Sequence, residues 1–254
     1  MKISVLGCSG GIGGACRTTC LLVDDDILID AGTGIVDISF QALANIDHIF
    51  VTHAHLDHIL GIPLIADVVD GRREKPITIY ALEETITHLR QYIFNWHIWP
   101  DFSILPTAEA PIIQFEAVKI GQKINLKGRQ ITVLPVNHAV PAVGYAIDSG
   151  VANLVFSGDT TSHQPFWASV NTLNNLSHVI VETSFANADL ALARLSKHFC
   201  PSLLAEDLKH LSGQPTIHVT HLKPGEDEMI MQELAQDVQG LTVRRLMEGD
   251  SFTI

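Results

Sequence analysis

The chain has 254 residues, 46% of them hydrophobic, so it can bury a full core as one α/β domain or as two smaller ones. Its formal net charge is −12 and it has no block of consecutive basic residues, which argues against a nucleic acid partner and leaves room for a small anion. No stretch approaches the roughly 18 apolar residues of a membrane helix, and the first residues lack the apolar run of a signal peptide, so we expect a cytoplasmic protein without a membrane partner.

Short apolar runs bounded by turn residues predict β-strands, while three longer segments have the spacing of helices. The predicted strands are, in chain order, KISVLG, CLLV, ILID, HIFVTH, PITIYA, QITVLPV, GYAID, NLVFSGD, HVIVETS and TIHVTH, with a turn at Asp24-Asp25-Asp26 between the second and the third. The predicted helices are EETITHLRQYIFNW, SLLAEDLKHL and EDEMIMQELAQDV. No linker, low-complexity tract or repeat divides the chain, so residues 1–254 are predicted to form a single domain of packed sheets flanked by helices.

Three histidines and one aspartate are crowded into six positions at the end of the strand HIFVTH. In an extended chain, residues two apart face the same side, so His53 and His55 can bind one metal ion. If the chain then turns into a helix, Asp57 and His58 project differently and can reach a second ion. The motif therefore predicts a site for two metal ions.

This motif cannot complete two coordination shells, so further ligands are expected at the ends of later strands. The chain offers His138 after QITVLPV, Asp159 after NLVFS and His221 after TIHVT. Asp159 has two carboxylate oxygens and could bridge both ions. Each of these residues is a weak signal alone, because a single strand-end histidine is often structural and SGD can be a turn. Strand ends can aim several such side chains into one cavity.

The four cysteines, Cys8, Cys16, Cys20 and Cys200, do not predict a disulfide framework. Cys16 and Cys20 could bind a metal, but buried thiols are commoner. The glycine-rich segment GCSGGIGGACRTT lacks the ending of a nucleotide-binding loop and is predicted to be a turn at the rim of the site.

In their order along the chain, IDAG, THAHLDH, an isolated histidine, SGD and a final histidine resemble the metallo-β-lactamase superfamily. The resemblance covers nearly the whole chain and implies an α/β fold, the four-layer αββα sandwich, with a two-metal site at its edge. Asp30 is then expected to support the ligands without binding metal, and we expect the same of Glu182, which ends the strand HVIVE. The implied ligands are His53, His55, His138 and Asp159 for one ion and Asp57, His58, Asp159 and His221 for the other.

Several further segments are similar to the class II cyclic-nucleotide phosphodiesterases: HLDHILGIP, YIFNWHIWPDF, HAVPAVGYAI, VETSFAN and LSKHFCPSLLAEDLKHL. The chain departs from that pattern at IPLIADV, and at Lys197 and Cys200, which replace a glycine and a hydroxyl residue more often seen. The resemblance implies hydrolysis of 3′,5′-cyclic AMP or GMP to 5′-nucleotides by a hydroxide that bridges two divalent ions. Zinc is the first expectation for these ions, and manganese or iron suit such ligands as well.

Charge at the ions supports a phosphodiester substrate independently. Two dications carry +4, and Asp57, Asp159 and a bridging hydroxide subtract three, which leaves about +1 for a singly charged phosphodiester. Asp57 and His198 are the expected catalytic residues, with His198 either donating a proton to the leaving oxygen or clamping the phosphate. The aromatic segment around Phe94, Trp96 and Trp99 is expected to bind the base or to form a dimer contact.

Two alternatives stay open. The first is a transfer-RNA 3′-processing ribonuclease of the same superfamily, although no basic arm for RNA is visible, or another hydrolase with this fold. The second is a metal-binding scaffold without catalysis, which all seven expected ligands disfavour. The small cyclic nucleotide is the expected partner, and the chain could also form a homodimer.

Overall fold

Two seven-stranded β-sheets form the centre of the computed structural model, which describes residues 1–254. The strands are β1 (Lys2–Gly7), β2 (Cys20–Val23), β3 (Ile27–Ile29), β4 (His48–Phe50), β5 (Ile77–Ala81), β6 (Pro106–Thr107), β7 (Ala110–Pro111), β8 (Ile113–Ala117), β9 (Lys123–Leu126), β10 (Arg129–Pro135), β11 (Val143–Asp148), β12 (Asn153–Phe156), β13 (Leu176–Glu182), β14 (Thr216–Thr220), β15 (Val243–Arg245) and β16 (Ser251–Thr253). The helices are α1 (Phe40–Asn45), α2 (Leu56–Ile59), α3 (Gly61–Val69), α4 (Glu83–His88), α5 (Gln164–Val170), α6 (Leu190–Ser196), α7 (Pro201–Leu208) and α8 (Asp227–Asp237). None of these helices is long and apolar enough to cross a bilayer.

Strand order explains why the predicted ligands can meet. The first sheet has the order β16-β1-β2-β3-β4-β5-β8 and the second has β15-β14-β13-β12-β11-β10-β9, while β6 and β7 form a small hairpin. Strands β3, β4, β5 and β8 are parallel, as are β12 to β15. Parallel strands end at the same edge of a sheet, and side chains that follow them gather there. The site is built at this edge.

Buried side chains alternate between an inner layer and two outer layers, as the period of two in a strand requires. On β13, Ile180 lies in the core between the sheets, whereas Val179 and Val181 pack under the helices. Helix α3 covers the first sheet, and α5, α7 and α8 cover the second. The resulting layers are helix, sheet, sheet and helix, which confirms the predicted αββα sandwich.

The predicted helix over residues 83–96 is shorter in the structure. Helix α4 ends at His88, and a π-helical turn, Leu89–Ile93, follows it. The chain is irregular from Phe94 onwards, where Trp96 has a φ of +67°. A left-handed residue cannot continue an α-helix. The helix predicted from hydrophobic periodicity therefore extends past the end of the observed one.

Candidate metal centre

The seven expected ligands come together at the edge of the sandwich in two groups of four. His53 follows β4, His55 is the N-cap of α2, and Asp57 and His58 lie in the first turn of that helix. The ligand atoms of each group lie within 4.8 Å of one another, and Asp159 belongs to both. The groups are His53, His55, His138 and Asp159, and Asp57, His58, Asp159 and His221.

Two imidazole nitrogens show that these groups suit metal ions. The Nε2 atoms of His53 and His58 are buried and have no hydrogen-bond partner. They lie 3.7 Å and 3.4 Å from the two carboxylate oxygens of Asp159. Burying a polar atom without a partner is costly, and a divalent cation in each group would satisfy the nitrogen that belongs to it. Imidazole and carboxylate are also the ligand types that zinc, manganese and iron accept.

Asp30 organises ligands of both groups from behind. It is fully buried and accepts hydrogen bonds from Thr52 N at 2.7 Å, Thr52 Oγ1 at 2.8 Å and His58 Nδ1 at 2.7 Å. Thr52 Oγ1 in turn accepts from His53 Nδ1 at 3.0 Å. Each ring therefore donates through Nδ1 and keeps Nε2 for a metal, as supporting carboxylates do in metal sites. Burial raises the pKa of Asp30, although the neighbouring His58 opposes the shift.

Glu182 organises the other side of the site. It accepts hydrogen bonds from Thr160 N at 3.0 Å, from Ser184 Oγ at 3.1 Å and from His198 Nδ1 at 2.7 Å. Ser184 Oγ accepts from His221 Nδ1 at 2.9 Å, so the Nε2 atom of His221 is directed to the ligand group. Ser184 was missed in the sequence, because one serine in VETS carries no pattern.

His198 lies beside the ligands but belongs to neither group. Its ring is 4.9 Å from the ring of His138 and 5.5 Å from that of His221, measured between centroids. Burial lowers the pKa of His198, but the ion pair with Glu182 outweighs it, so the pKa lies above its ordinary value. This environment favours the protonated ring, which can donate a proton or bind a phosphate oxygen.

A match to a known family identifies the superfamily to which this fold and site belong. Residues 25–247 match the family described as the Beta-lactamase superfamily domain. The chain belongs to the metallo-β-lactamase superfamily. This membership implies divalent metal ions, and the His/Asp cluster is where the chain can hold them.

Relatives in the superfamily are named as phosphodiesterases and ribonucleases. A "Probable 3′,5′-cyclic-nucleotide phosphodiesterase" of Yersinia pestis is 27% identical over 304 aligned residues, which cover 100% of this chain and 85% of that protein. A ribonuclease Z of Clostridium beijerinckii is 34% identical over 156 residues, which cover 57% of this chain and 48% of that protein. Unliganded yeast PDE1 superposes with a TM-score of 0.82 at 18% identity and 98% coverage of both chains, which shows a shared fold. The relatives confirm the resemblance to superfamily cyclic-nucleotide phosphodiesterases and support a hydrolase.

The aromatic residues expected to bind the base occupy three different environments. Phe94 is buried in the core under the first sheet, 6.1 Å from the Phe115 ring, so it is not available to stack on a base and its predicted role is corrected. Trp99 packs partly against the same core. Trp96 is 58% exposed. Hydrophobic patterning cannot separate such core aromatics from ligand-binding ones.

Two residues that the sequence did not single out lie at the rim beside His198. The ring of Phe185 is 5.8 Å from that of His198, and Lys223 Nζ lies 5.7 Å from the Phe185 centroid. Lys223 also donates to the Gly10 carbonyl at 3.2 Å. Gly10 is needed there, because a Cβ atom would lie 2.4 Å from the carbonyl oxygen of His221. The glycine-rich segment therefore touches the site through backbone contact.

The cysteines and the opposite end of the strands take no part in the ligand groups. All four cysteines are free, and neither candidate metal group contains one.

A cavity of about 660 Å³ lies near the starts of β3 and β4. Its lysines are paired, with Lys127 Nζ 3.0 Å from Asp26 and Lys75 Nζ 2.6 Å from Asp47. The ion pairs that line this cavity connect the two sheets, and neither candidate metal group lies there.

Proposed function

We propose that the protein is a metal-dependent phosphodiesterase that hydrolyses 3′,5′-cyclic nucleotides, such as cyclic AMP and cyclic GMP, to 5′-nucleotides. The observation that carries this proposal is the pair of ligand groups that share Asp159. Support for the substrate comes from the relative in Yersinia pestis, whose name includes that activity and which aligns over the whole chain. Zinc is the proposed metal because histidine supplies most of the ligands, and manganese and iron are the alternatives.

The charge of the ligand set suits a small anionic substrate. Asp57 and Asp159 are the carboxylates in the two groups, and the other ligands are imidazoles. Two divalent ions bound there would retain positive charge, lower the pKa of a coordinated water toward about 7 and neutralise charge on phosphoryl oxygens. The protein around them has a formal net charge of −12, so the attraction is local and favours a small phosphodiester over a long polyanion.

Three side chains at the edge of the candidate metal centre can assist the proposed hydrolysis. His198 donates to Glu182 at 2.7 Å, and this contact raises its pKa, so a protonated ring could give a proton to the departing 3′-oxygen or bind a phosphate oxygen. Asp57 is the candidate ligand carboxylate with the more exposed side chain, 32% against 3% for Asp159, so it is the more accessible of the two to a substrate. Lys223 adds a positive charge near His198.

Ribonuclease activity on precursor transfer RNA is the second candidate, because several curated relatives are named ribonuclease Z. Those alignments cover about half of this chain. The formal net charge of −12 also disfavours a long RNA backbone, whose binding depends on contacts between basic residues and phosphates. The cyclic-nucleotide proposal therefore has the broader support.

A substrate panel tests the proposal. Purified protein of measured metal content would be assayed against cyclic AMP, cyclic GMP, 2′,3′-cyclic nucleotides and a precursor transfer RNA. We expect hydrolysis of the 3′,5′-cyclic nucleotides, its loss on chelation and its return with added metal. Asp159→Asn should be inactive, whereas the surface variant His210→Asn should keep the wild-type rate. Cleavage of precursor RNA without hydrolysis of cyclic nucleotides would contradict the proposal.

A further inference from the structure

Lys197 and His138 are joined by two reciprocal hydrogen bonds. The ring Nδ1 of His138 donates to the carbonyl oxygen of Lys197 at 3.1 Å. The ammonium Nζ of Lys197 donates to the carbonyl oxygen of His138 at 3.0 Å. The first bond fixes the ring so that Nε2 faces the ligand group of His53, His55 and Asp159. The second bond holds the backbone that carries the ring, and it comes from the side chain of residue 197 and not from its backbone.

The backbone of Lys197 is in a conformation that favours glycine. It ends helix α6 with φ +58° and ψ +51°, the left-handed conformation that commonly closes a helix. A side chain makes this conformation less favourable, so a non-glycine residue there calls for a compensating role. The bond from Lys197 Nζ to His138 supplies that role.

The same turn sets the position of His198. His198 N donates to the Ala193 carbonyl at 2.9 Å, which closes the end of α6. The rings of His138 and His198 then lie 4.9 Å apart. Lys197 is thus covalently next to one of these histidines and hydrogen-bonded to the other.

We propose that the Lys197 side chain is a positioning residue that holds His138 as a metal ligand and fixes it relative to His198. The ammonium bond to a carbonyl is charge-assisted and restrains the non-helical segment that carries His138. The inference rests on the metal centre of the proposed function and is independent of the substrate.

The experiment measures metal affinity without substrate, by competition with a chelator, in Lys197→Met, Lys197→Gly and Lys197→Arg. Lys119→Met removes the same charge from an exposed lysine and is the matched control. His138→Gln identifies the ion that depends on His138. For that ion we expect Lys197→Met and Lys197→Gly to bind about 10- to 100-fold more weakly, as for other residues that support metal ligands. Lys197→Arg should retain most of the affinity, because it keeps a cationic donor.

Two further readouts separate positioning from a general loss of structure. The thermal midpoint of metal-free Lys197→Gly should equal or exceed that of the metal-free wild type, since glycine relieves the left-handed backbone. Nitrogen-15 NMR of the metal-free protein should show the Nδ1–H tautomer of His138 in the wild type and a mixture of tautomers in Lys197→Met.

Wild-type affinity in both Lys197→Met and Lys197→Gly would overturn the inference, as would equal losses for both ions or an equal loss in Lys119→Met. Full metal retention by His138→Gln would overturn it as well, because His138 would then not be a ligand. Failure of the cyclic-nucleotide assay with these affinity changes intact would reject the proposed substrate and leave the role of Lys197 standing.

Discussion

The imidazole of His198 is hydrogen-bonded on one side and lies beside the candidate ligands on the other. Its Nδ1 donates a hydrogen bond to Glu182, and its ring lies beside the rings of two candidate metal ligands, His138 and His221, without joining either group. A group held in this way can act on the substrate without altering metal binding. The two roles proposed for it, proton donor and phosphate clamp, differ in their dependence on the leaving group.

His198→Ala should therefore keep the wild-type metal content but slow hydrolysis of a 3′,5′-cyclic nucleotide by roughly 10²- to 10⁴-fold. If His198 is the proton donor, the loss should shrink for bis(p-nitrophenyl) phosphate, whose leaving group departs without protonation. A phosphate clamp would cost both substrates equally. Steady-state rates and elemental analysis of the variant check this, with His88→Ala as the control. Wild-type rates on both substrates would exclude either role.

Much of the candidate site could be predicted from sequence because metal ligands occur in patterns. The spacing of His53, His55, Asp57 and His58 is unusual enough to be recognised, and the later ligands follow strands. Ser184 and Lys197 could not be found in this way. Each is a single residue of a common type, and its contacts depend on segments far away in the chain.

At the scale of elements, strands β13 and β14 bring two histidines together away from the metal centre. His178 Nδ1 and His218 Nε2 lie 3.1 Å apart, and both rings contact the ring of Phe252 on β16. This hydrogen bond needs a neutral ring as its acceptor. Burial lowers the pKa of His178, with Arg244 adding to the shift. Burial, His178 and Arg244 lower the pKa of His218 to about 4, and Asp250 opposes them.

This pair predicts a loss of stability in acid. An unfolded histidine takes up its proton near pH 6.5, whereas folded His218 resists until about pH 4. Between these values the unfolded state binds more protons, so the free energy of unfolding should fall as the pH falls, and the contribution is complete above about pH 6.5. His218→Phe should flatten this dependence between about pH 7 and pH 5. Urea denaturation of metal-free protein would measure it, with the exposed His97→Phe as the control. An unchanged pH dependence in His218→Phe would contradict the assignment.

Strands were predicted where most of their side chains are apolar and buried, including the short β2, β3 and β4, and they were missed where few side chains are buried, as in β8, β15 and β16. The runs that became β5, β10 and β13 were identified because they are buried strands of five to seven residues. Strand β16 has three residues and only one buried side chain, Phe252, so nothing in its pattern marks it. Strand β16 forms because it pairs with β1, and these two strands lie at opposite ends of the chain.

At the scale of the whole molecule, the layer order depends on topology that periodicity does not contain. Apolar alternation predicts sheets and helices, but it does not say that β16 closes the first sheet beside β1 or that β15 ends the second. The αββα arrangement was predicted from the resemblance of the motifs. The structure explains why those motifs need this fold, since parallel strands from both sheets end at one edge.

An apolar stripe on the outer surface is a candidate contact for the homodimer that the sequence led us to expect. Leu60 has helical dihedral angles and joins α2 to α3, so the helical backbone continues over residues 56–69. Four aliphatic side chains with a spacing of four residues remain exposed on this stretch. They are Leu56 (61%), Leu60 (43%), Leu64 (40%) and Val68 (36%). Such a ridge can pack against its own copy about a two-fold axis, and contiguous exposed apolar surface commonly marks an interface.

We therefore expect the wild-type protein to be a dimer in solution and the double variant Leu60→Glu/Leu64→Glu to be a monomer. Two glutamates on the ridge would face their copies across the axis, so desolvation and like-charge repulsion would both oppose association. Sedimentation velocity at several protein concentrations would measure the change. Val151→Glu is the matched control, because Val151 is 75% exposed in the turn between β11 and β12 and should not affect the dimer. The ridge lies beside the candidate metal ligands His55 and Asp57, so metal content must be measured in the same samples. A monomeric wild type, or a double variant that stays dimeric with its metal bound, would show that this ridge is not the subunit contact.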